Sequence, residues 1–142
     1  MKPIHLLGVD EGPESFAALV AAARRLGLRV GWLDLARRPE VPAALGSAVA
    51  AGAFRAVAAT DGGTVSVKRV PAGPRLDDLL REHFLGCRLV LVRGEGPAAR
   101  LEARGDGWRI RRRPEGAGRP LDLSTAELAR RLRRPAATFL AD

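Results

Sequence analysis

The residues from Gly8 to Ser15 have the spacing of a phosphate-binding loop. In the frame G-x-x-x-x-G-K-[ST], a loop follows a buried strand, and its backbone N–H groups, its lysine and the start of the next helix surround the phosphates. Gly8 stands at the first position of this frame, Gly12 lies within it, and Ser15 stands at the last position, where a hydroxyl holds Mg²⁺. The spacing therefore predicts the shape of a nucleotide-binding loop.

Two positions of this loop carry residues that are unsuited to phosphate. Pro13 stands where the second glycine belongs and removes a backbone donor, and Glu14 replaces the lysine with a negative charge. At about 4 Å and an effective dielectric constant near 20, one unit-charge interaction is worth roughly 4 kcal/mol. The reversal predicts no tight triphosphate binding in the ordinary mode. Both residues also suit the first turn of a helix, which is the structural explanation for them.

The densest basic segment lies between residues 104 and 119, where six arginines stand against two acidic residues. On a strand, Arg109 and Arg111 share one face, and Trp108 and Ile110 share the other. This pattern predicts either a surface that binds phosphates or other anions, or a solvated strand face. The candidate basic patch consists of Arg109, Arg111, Arg112 and Arg113.

Other residues with reactive side chains do not form a catalytic set. His5 lies in an apolar strand and His83 on the apolar face of a helix, so both are predicted to be core or boundary histidines. Cys87 begins a buried strand and is predicted to behave as a small hydrophobic residue. The turn Arg93 to Glu95 follows that strand, at the end where α/β sheets place ligands. No Ser/His/Asp set, H-E-x-x-H or C-x-x-C motif is present, so the sequence gives little support for an enzyme.

Composition limits the class of protein. A chain of 142 residues with 46% hydrophobic residues is predicted to fold as one domain. The single cysteine excludes an internal disulfide, and no apolar run is long enough to span a membrane. Since no secretory signal is evident, we expect a cytoplasmic protein. The net charge of +8 comes almost entirely from arginine, and the abundance of Ala, Gly and Pro suggests that this reflects coding preference as much as a binding surface.

The order of apolar segments predicts an α/β fold. Strands are predicted at 3–9, 28–33, 55–59, 64–70, 87–92, 99–103 and 108–112. Helices are predicted from the loop to Gly27, at 43–51, at 76–85, and from the capping box Ser124 to Glu127 as far as Pro135. Asp-Gly-Gly before residue 64 marks a hairpin. The prediction is one domain over residues 1–142, with a short tail at 135–142. It has a mainly parallel sheet, helices on both faces, and an antiparallel hairpin addition.

The order of these elements resembles the MobB family, the P-loop adapter proteins of molybdopterin-guanine dinucleotide biosynthesis. The resemblance covers most of the chain. It rests on Gly8 to Ser15, Gly27 to Gly31, Ala51 to Ala53, the hairpin Ala58 to Val70, the helix Leu76 to Leu85, Arg88 to Gly94, and Pro120 to Ser124. It implies a three-layer P-loop-like fold, a homodimer, binding of GTP and Mg²⁺, and a supporting role beside the guanylyltransferase that attaches GMP to molybdopterin.

The chain departs from the family pattern at the functional positions. The loop lysine is Glu14, the last loop glycine is Pro13, and the acidic residue before Gly94 is Arg93. Before the Ala-Gly-Ala turn the family has a polar, charged stretch, whereas residues 43–47 of this chain are mainly apolar. We therefore expect a MobB-like adapter or binding protein with weak or lost GTP binding and hydrolysis. The alternative is a basic α/β module that binds nucleic acid or another polyanion, with an affinity that falls steeply as salt is added.

Overall fold

The computed structural model describes residues 4–36, 38–112 and 118–141. The chain divides into two compact units, a first unit of residues 1–37 and 79–142 and a second unit of residues 38–78. The strands are β1 (His5–Val9), β2 (Val30–Asp34), β3 (Arg55–Thr60), β4 (Gly63–Lys68), β5 (Leu89–Arg93), β6 (Ala99–Arg104), β7 (Gly107–Arg112) and β8 (Leu121–Leu123). The helices are α1 (Ala17–Arg25), α2 (Ala43–Ala50), α3 (Leu76–His83) and α4 (Thr125–Arg131), and a 3₁₀ turn (Pro13–Phe16) precedes α1.

The first unit is built on a mixed six-stranded sheet with the order β2-β5-β1-β6-β7-β8. β1 is parallel to both β5 and β6, and β2 is parallel to β5, whereas β7 runs antiparallel to its two neighbours β6 and β8. β1 and β5 are therefore interior strands, which explains why their sequences are apolar on both faces. The predicted α/β class with a mainly parallel sheet is confirmed. That residues 1–142 fold as one domain stays a prediction.

One face of this sheet carries the main hydrophobic core. α1 and α4 pack against each other, and their apolar residues lie on the inward-facing residues of the sheet. Phe16 is almost fully buried, with its ring 5.9 Å from that of Trp32 and 5.7 Å from that of Trp108, measured between centroids. On the opposite face, a Cβ on Gly31 would lie 2.4 Å from the ring of Phe84. Only glycine leaves room for that ring.

The second unit consists of the β3–β4 hairpin and α2, which packs on it through Leu45 and Ala56. The hairpin falls where Asp-Gly-Gly predicts it, but it forms a two-stranded sheet of its own. The reversed strand of the large sheet is β7 instead, which pairs antiparallel with β6 and β8. β8 was not predicted, because its three residues follow a Pro/Gly/Arg segment with no strand pattern.

Three local predictions have different outcomes. The capping box is confirmed, since Ser124 Oγ accepts a hydrogen bond from the backbone N–H of Glu127 at 3.1 Å. His83 is exposed rather than core, because α3 has no buried side chain. Cys87 is half-buried in the turn before β5, and burial raises the pKa of its thiol.

Within the described ranges, no helix has the length and apolar character needed to cross a membrane.

Candidate functional site

The loop from Gly8 to Ser15 lies at the carboxyl edge of the parallel strands, as its position after β1 predicts. Gly8 is a buried residue of β1, and Gly12 precedes the 3₁₀ turn that Pro13 begins. The backbone N–H of Ser15 donates to the carbonyl of Gly12 at 3.2 Å. The structure therefore brings the three loop residues of the phosphate-binding frame to the expected edge of the sheet.

The backbone of this loop does not have the conformation of an anion-binding nest. Such a nest alternates right- and left-handed residues, so that successive N–H groups point at one anion. Between Gly8 and Ser15 no residue has a positive φ, and Gly12 is extended with φ −73° and ψ 168°. Pro13, at the next position, has no N–H to donate. The loop thus passes directly from strand to helix without surrounding a ligand.

Arg100 on β6 occupies the space above Gly8. A Cβ on Gly8 would lie 2.2 Å from Arg100 Nη1 and 2.9 Å from its Cζ. The guanidinium donates from Nη1 to the carbonyl of Gly94 at 2.6 Å and from Nη2 to Asp10 Oδ1. The Arg100 side chain is 15% exposed, whereas that of Asp10 is 89% exposed. Gly8 is therefore required for the close approach of an arginine side chain.

The side chain of Glu14 occupies the space beside Gly12. A Cβ on Gly12 would lie 2.7 Å from Glu14 Oε1 and 3.0 Å from Oε2, so the carboxylate folds back over the loop. The loop carries its own negative charge at the position where a phosphate would have to lie. Repulsion between the two would oppose binding.

Carboxylates outnumber guanidinium groups around the ends of β1, β2 and β5, although the chain is basic. Among the described residues there, five carboxylates, those of Asp10, Glu11, Glu14, Asp34 and Glu95, stand against the guanidinium group of Arg93 and that of Arg100, which reaches this region from β6. Arg93 Nη1 lies 3.8 Å from Asp34 Oδ2, so each of these arginines faces a carboxylate. Among the residues that the structure describes, no group of three His, Cys, Asp or Glu side chains could hold a metal ion.

GTP and Mg²⁺, which the resemblance to MobB implies, do not fit this arrangement. The loop backbone forms no nest, the loop has no lysine, and Pro13 has no N–H to donate. The carboxylate of Glu14 lies over the loop, where it would repel a phosphate. Ser15 is half-buried and keeps its hydroxyl, but a hydroxyl alone does not hold a triphosphate. The departures at positions 13 and 14 that are visible in the sequence thus correspond to a closed loop in the structure.

Two of the four arginines of the basic patch are paired with carboxylates across the strands. Arg109 donates to both carboxylate oxygens of Asp122, from Nε at 2.7 Å and from Nη2 at 3.0 Å, and this pairing lowers the pKa of Asp122. Arg111 Nε donates to Glu102 Oε1 at 3.1 Å. Register places Asp122 opposite Arg109, and Glu102 lies diagonally across from Arg111 on the same face. The predicted division of β7 into a polar face and a buried Trp108–Ile110 face is confirmed.

Arg112, the third member of the patch, does not extend this face. Arg112 Nη2 donates to the carbonyl of Leu140, on the same side of β7 as Ile110. Arg113 lies outside the described residues. The exposed face of β6, β7 and β8 is therefore a ladder of alternating charges.

A second polar cluster lies at the amino edge of the sheet and was not predicted. His5, at the start of β1, is buried, and its Nε2 donates to the carbonyl oxygens of Leu132 at 3.2 Å and Arg134 at 2.9 Å. Arg88 donates to the same Leu132 carbonyl from Nε at 3.0 Å and Nη2 at 2.7 Å. The ring of His5 stacks on Phe139 with centroids 4.0 Å apart. His5 is a core histidine, as predicted, but it also ties β1 to the segment after α4.

His5 is expected to make the protein less stable in mild acid. Burial, with a smaller repulsion from Arg88, lowers the pKa of His5 below its ordinary value of 6.5. Between pH 6.5 and that lower pKa the unfolded chain binds more protons than the folded chain, so the free energy of unfolding decreases as the pH falls through this window. Urea denaturation at a series of pH values measures the decrease.

The matched variants are His5→Gln and His83→Gln, which change the only two histidines of the chain. The difference in unfolding free energy between wild type and His5→Gln should depend on pH in this window. His83→Gln, which changes an exposed histidine, is the matched control. Parallel profiles for wild type and His5→Gln would contradict the prediction.

Comparison of the sequence with models of known protein families and with characterised proteins finds no match.

Sequence reasoning missed Arg100, the residue that decides the state of the loop. One signal could have found it. A glycine inside a strand often marks the close approach of another group, and Gly8 is such a glycine. The sequence alone does not say whether that group is a ligand or a side chain, because Arg100 is 92 positions away in the chain and reaches Gly8 only through the β1–β6 pairing.

Proposed function

We propose that this protein is a MobB-like adapter that acts in molybdenum-cofactor maturation by binding a protein partner, without binding GTP in the loop from Gly8 to Ser15. The absence of GTP binding is proposed because side chains of this protein occupy the loop. Arg100 covers Gly8 and Glu14 covers Gly12. A loop closed in this way has no role in phosphoryl transfer, which requires the phosphates to be held by amides, a cation and a metal ion.

The adapter part of the proposal rests on the resemblance and on the fold that supports it. A central parallel strand followed by a loop, a helix and a second parallel strand is the arrangement that the resemblance implies. The partner class proposed is a molybdenum-cofactor guanylyltransferase, which supplies its own nucleotide chemistry. A homodimer and a cytoplasmic location belong to the same proposal.

The alternative, binding of nucleic acid or another polyanion through the basic patch, has less support. Arg109 and Arg111 both donate to carboxylates, so the patch offers fewer uncompensated charges than the sequence suggests. Displacing Asp122 or Glu102 would remove favourable ion pairs before a phosphate could bind. The described part of the patch therefore favours the solvated strand face.

The first test compares GTP binding in the wild type and a loop variant. We expect GTP with Mg²⁺ to leave the melting temperature of the wild type unchanged, because the loop is closed. A ligand at a hundredfold its Kd would stabilise the fold by about 2.7 kcal/mol, which a thermal melt detects. Glu14→Lys alone should not restore binding, since Pro13 and Arg100 remain. GTP-dependent stabilisation of the wild type that Ser15→Ala abolishes would refute the closed-loop part of the proposal.

The adapter part is tested by titrating the protein with a molybdenum-cofactor guanylyltransferase in a calorimeter. We expect binding that has the same Kd with and without GTP and Mg²⁺. Absence of binding under both conditions would refute the proposed partner. Binding that requires GTP would refute the nucleotide-independent mechanism instead, so the two failures can be told apart.

A further inference from the structure

The amino edge of the sheet contains a cleft that the proposed function does not use. The cleft has a volume of about 500 Å³ and lies between the start of β1, the end of β7 and the segment after α4. We name it the amino-edge cleft. Its lining residues are Ile4, His5, Leu6, Arg112, and residues 136, 137 and 139–141. It lies at the opposite edge of the sheet from the closed loop.

Among the described residues, the charge around this cleft is only positive. Arg88 is buried, yet its guanidinium donates only to the carbonyl of Leu132 and has no carboxylate within ion-pair distance among the described residues. Arg112 likewise donates to a carbonyl, that of Leu140, and to no described carboxylate. Buried charges in proteins are normally paired with an opposite charge. An anion bound in this cleft would supply the negative charge that the described residues lack.

His5 has a nitrogen atom available to such an anion. Its Nε2 faces two carbonyl oxygens, which only accept, so Nε2 carries a hydrogen and Nδ1 of the neutral ring does not. Nδ1 has no hydrogen-bond partner among the described residues. No described side-chain nitrogen or oxygen that is fully buried lacks a partner, so Nδ1 keeps contact with solvent. Protonation would turn Nδ1 into a donor at the wall of the cleft.

We propose that the amino-edge cleft binds a small oxyanion, a phosphate or a carboxylate, held by Arg112 and by His5 in its protonated form, with the charge of Arg88 behind them. Arg88 and His5 share the Leu132 carbonyl as acceptor, which places the two groups next to each other. The other lining side chains, from Ala136, Ala137, Phe139 and Leu140, are apolar, so a ligand with a small apolar group attached to the anion fits this site.

Proton uptake accompanies binding in this proposal. Among the residues that the structure describes, the charged groups around His5 are Arg88 before β5, Arg112 at the end of β7, Arg131 at the end of α4 and Arg134 after it, and all of them are cationic. This surrounding disfavours a charged imidazole when the cleft is empty. A bound anion would favour the charged form, so affinity should rise as the pH falls toward the pKa of His5, which lies below its ordinary value.

Imidazole NMR spectra of the His83→Gln variant test the proposal, because His5 is then the only histidine of the chain. The probes are inorganic phosphate and sodium acetate, each compared with sodium chloride at equal ionic strength. We expect at least one of them to raise the pKa of His5 and to saturate, and the arm that does so identifies the kind of anion. If both leave the titration of His5 as chloride does, the proposal is wrong.

Two arginine variants on β7 locate the effect. Arg112→Gln should weaken the anion affinity at least tenfold, whereas Arg111→Gln, whose side chain is on the other face and paired with Glu102, should leave it within twofold of the parent. Equal affinities in the two variants would show non-specific screening and overturn the proposal. The outcome is independent of the closed loop, since Ser15→Ala should leave the binding of these anions unchanged.

Discussion

Replacing Phe16 with alanine is expected to destabilise the fold by about 3–5 kcal/mol, the usual range for a buried phenylalanine. Phe16 is 1% exposed and joins the loop to the core, because its ring lies between those of Trp32 and Trp108. Alanine leaves a cavity beside two large rings that cannot move into it without disturbing β2 and β7. Since small proteins have a total stability of about 5–15 kcal/mol, this one change should remove a large part of it.

The measurement is urea denaturation followed by tryptophan fluorescence. The chain has only two tryptophans, and both flank Phe16, so the signal reports on this part of the core. Phe54→Ala is the matched control. Phe54 is 75% exposed and contacts the Lys68 ammonium at 5.6 Å from its ring centroid, so its loss should cost no more than about 1 kcal/mol. Similar costs for the two variants would mean that Phe16 does not anchor the loop.

Replacing Gly8 with alanine is expected to cost about 1–3 kcal/mol, as overpacking of a buried site usually does. The new Cβ would lie 2.2 Å from Arg100 Nη1. The arginine must then leave its position and lose its hydrogen bonds to Gly94 and Asp10. The loss follows from the contact with Arg100, so it should be present without any nucleotide.

A double-mutant cycle with Arg100→Ala separates this explanation from a role in binding phosphate. When Arg100 is absent, Gly8→Ala should cost at least 1 kcal/mol less, because residues in contact are not additive. Gly62→Ala is the control, since Gly62 has no heavy atom within 4 Å of its would-be Cβ and no positive φ, and it should be within about 1 kcal/mol of the wild type. Additive costs for Gly8→Ala and Arg100→Ala would refute the contact as the reason for the glycine.

Periodicity predicts correctly those elements that are buried on both faces or whose ends are marked by capping residues. β1 and β5 read as interior strands because both of their faces are buried, and α4 reads as a helix because Ser124 and Glu127 mark its start. For α3 the same reasoning is wrong: the apolar spacing predicts a buried face, but no residue of this helix is buried. Periodicity tells which residues share a face but not whether another element covers it.

The sequence by itself determined the α/β class, the position of the loop after β1, and the unsuitability of Pro13 and Glu14 for phosphate, because these depend on residue type and local spacing. Only the tertiary structure decided what fills the loop and what neutralises the basic patch. Arg100 reaches Gly8, and Asp122 reaches Arg109, through strand pairing between segments that are distant in sequence or joined by an unpredicted strand. The cluster of His5, Arg88 and Arg112 at the amino edge has the same origin, since a sheet brings strand ends together irrespective of their distance along the chain.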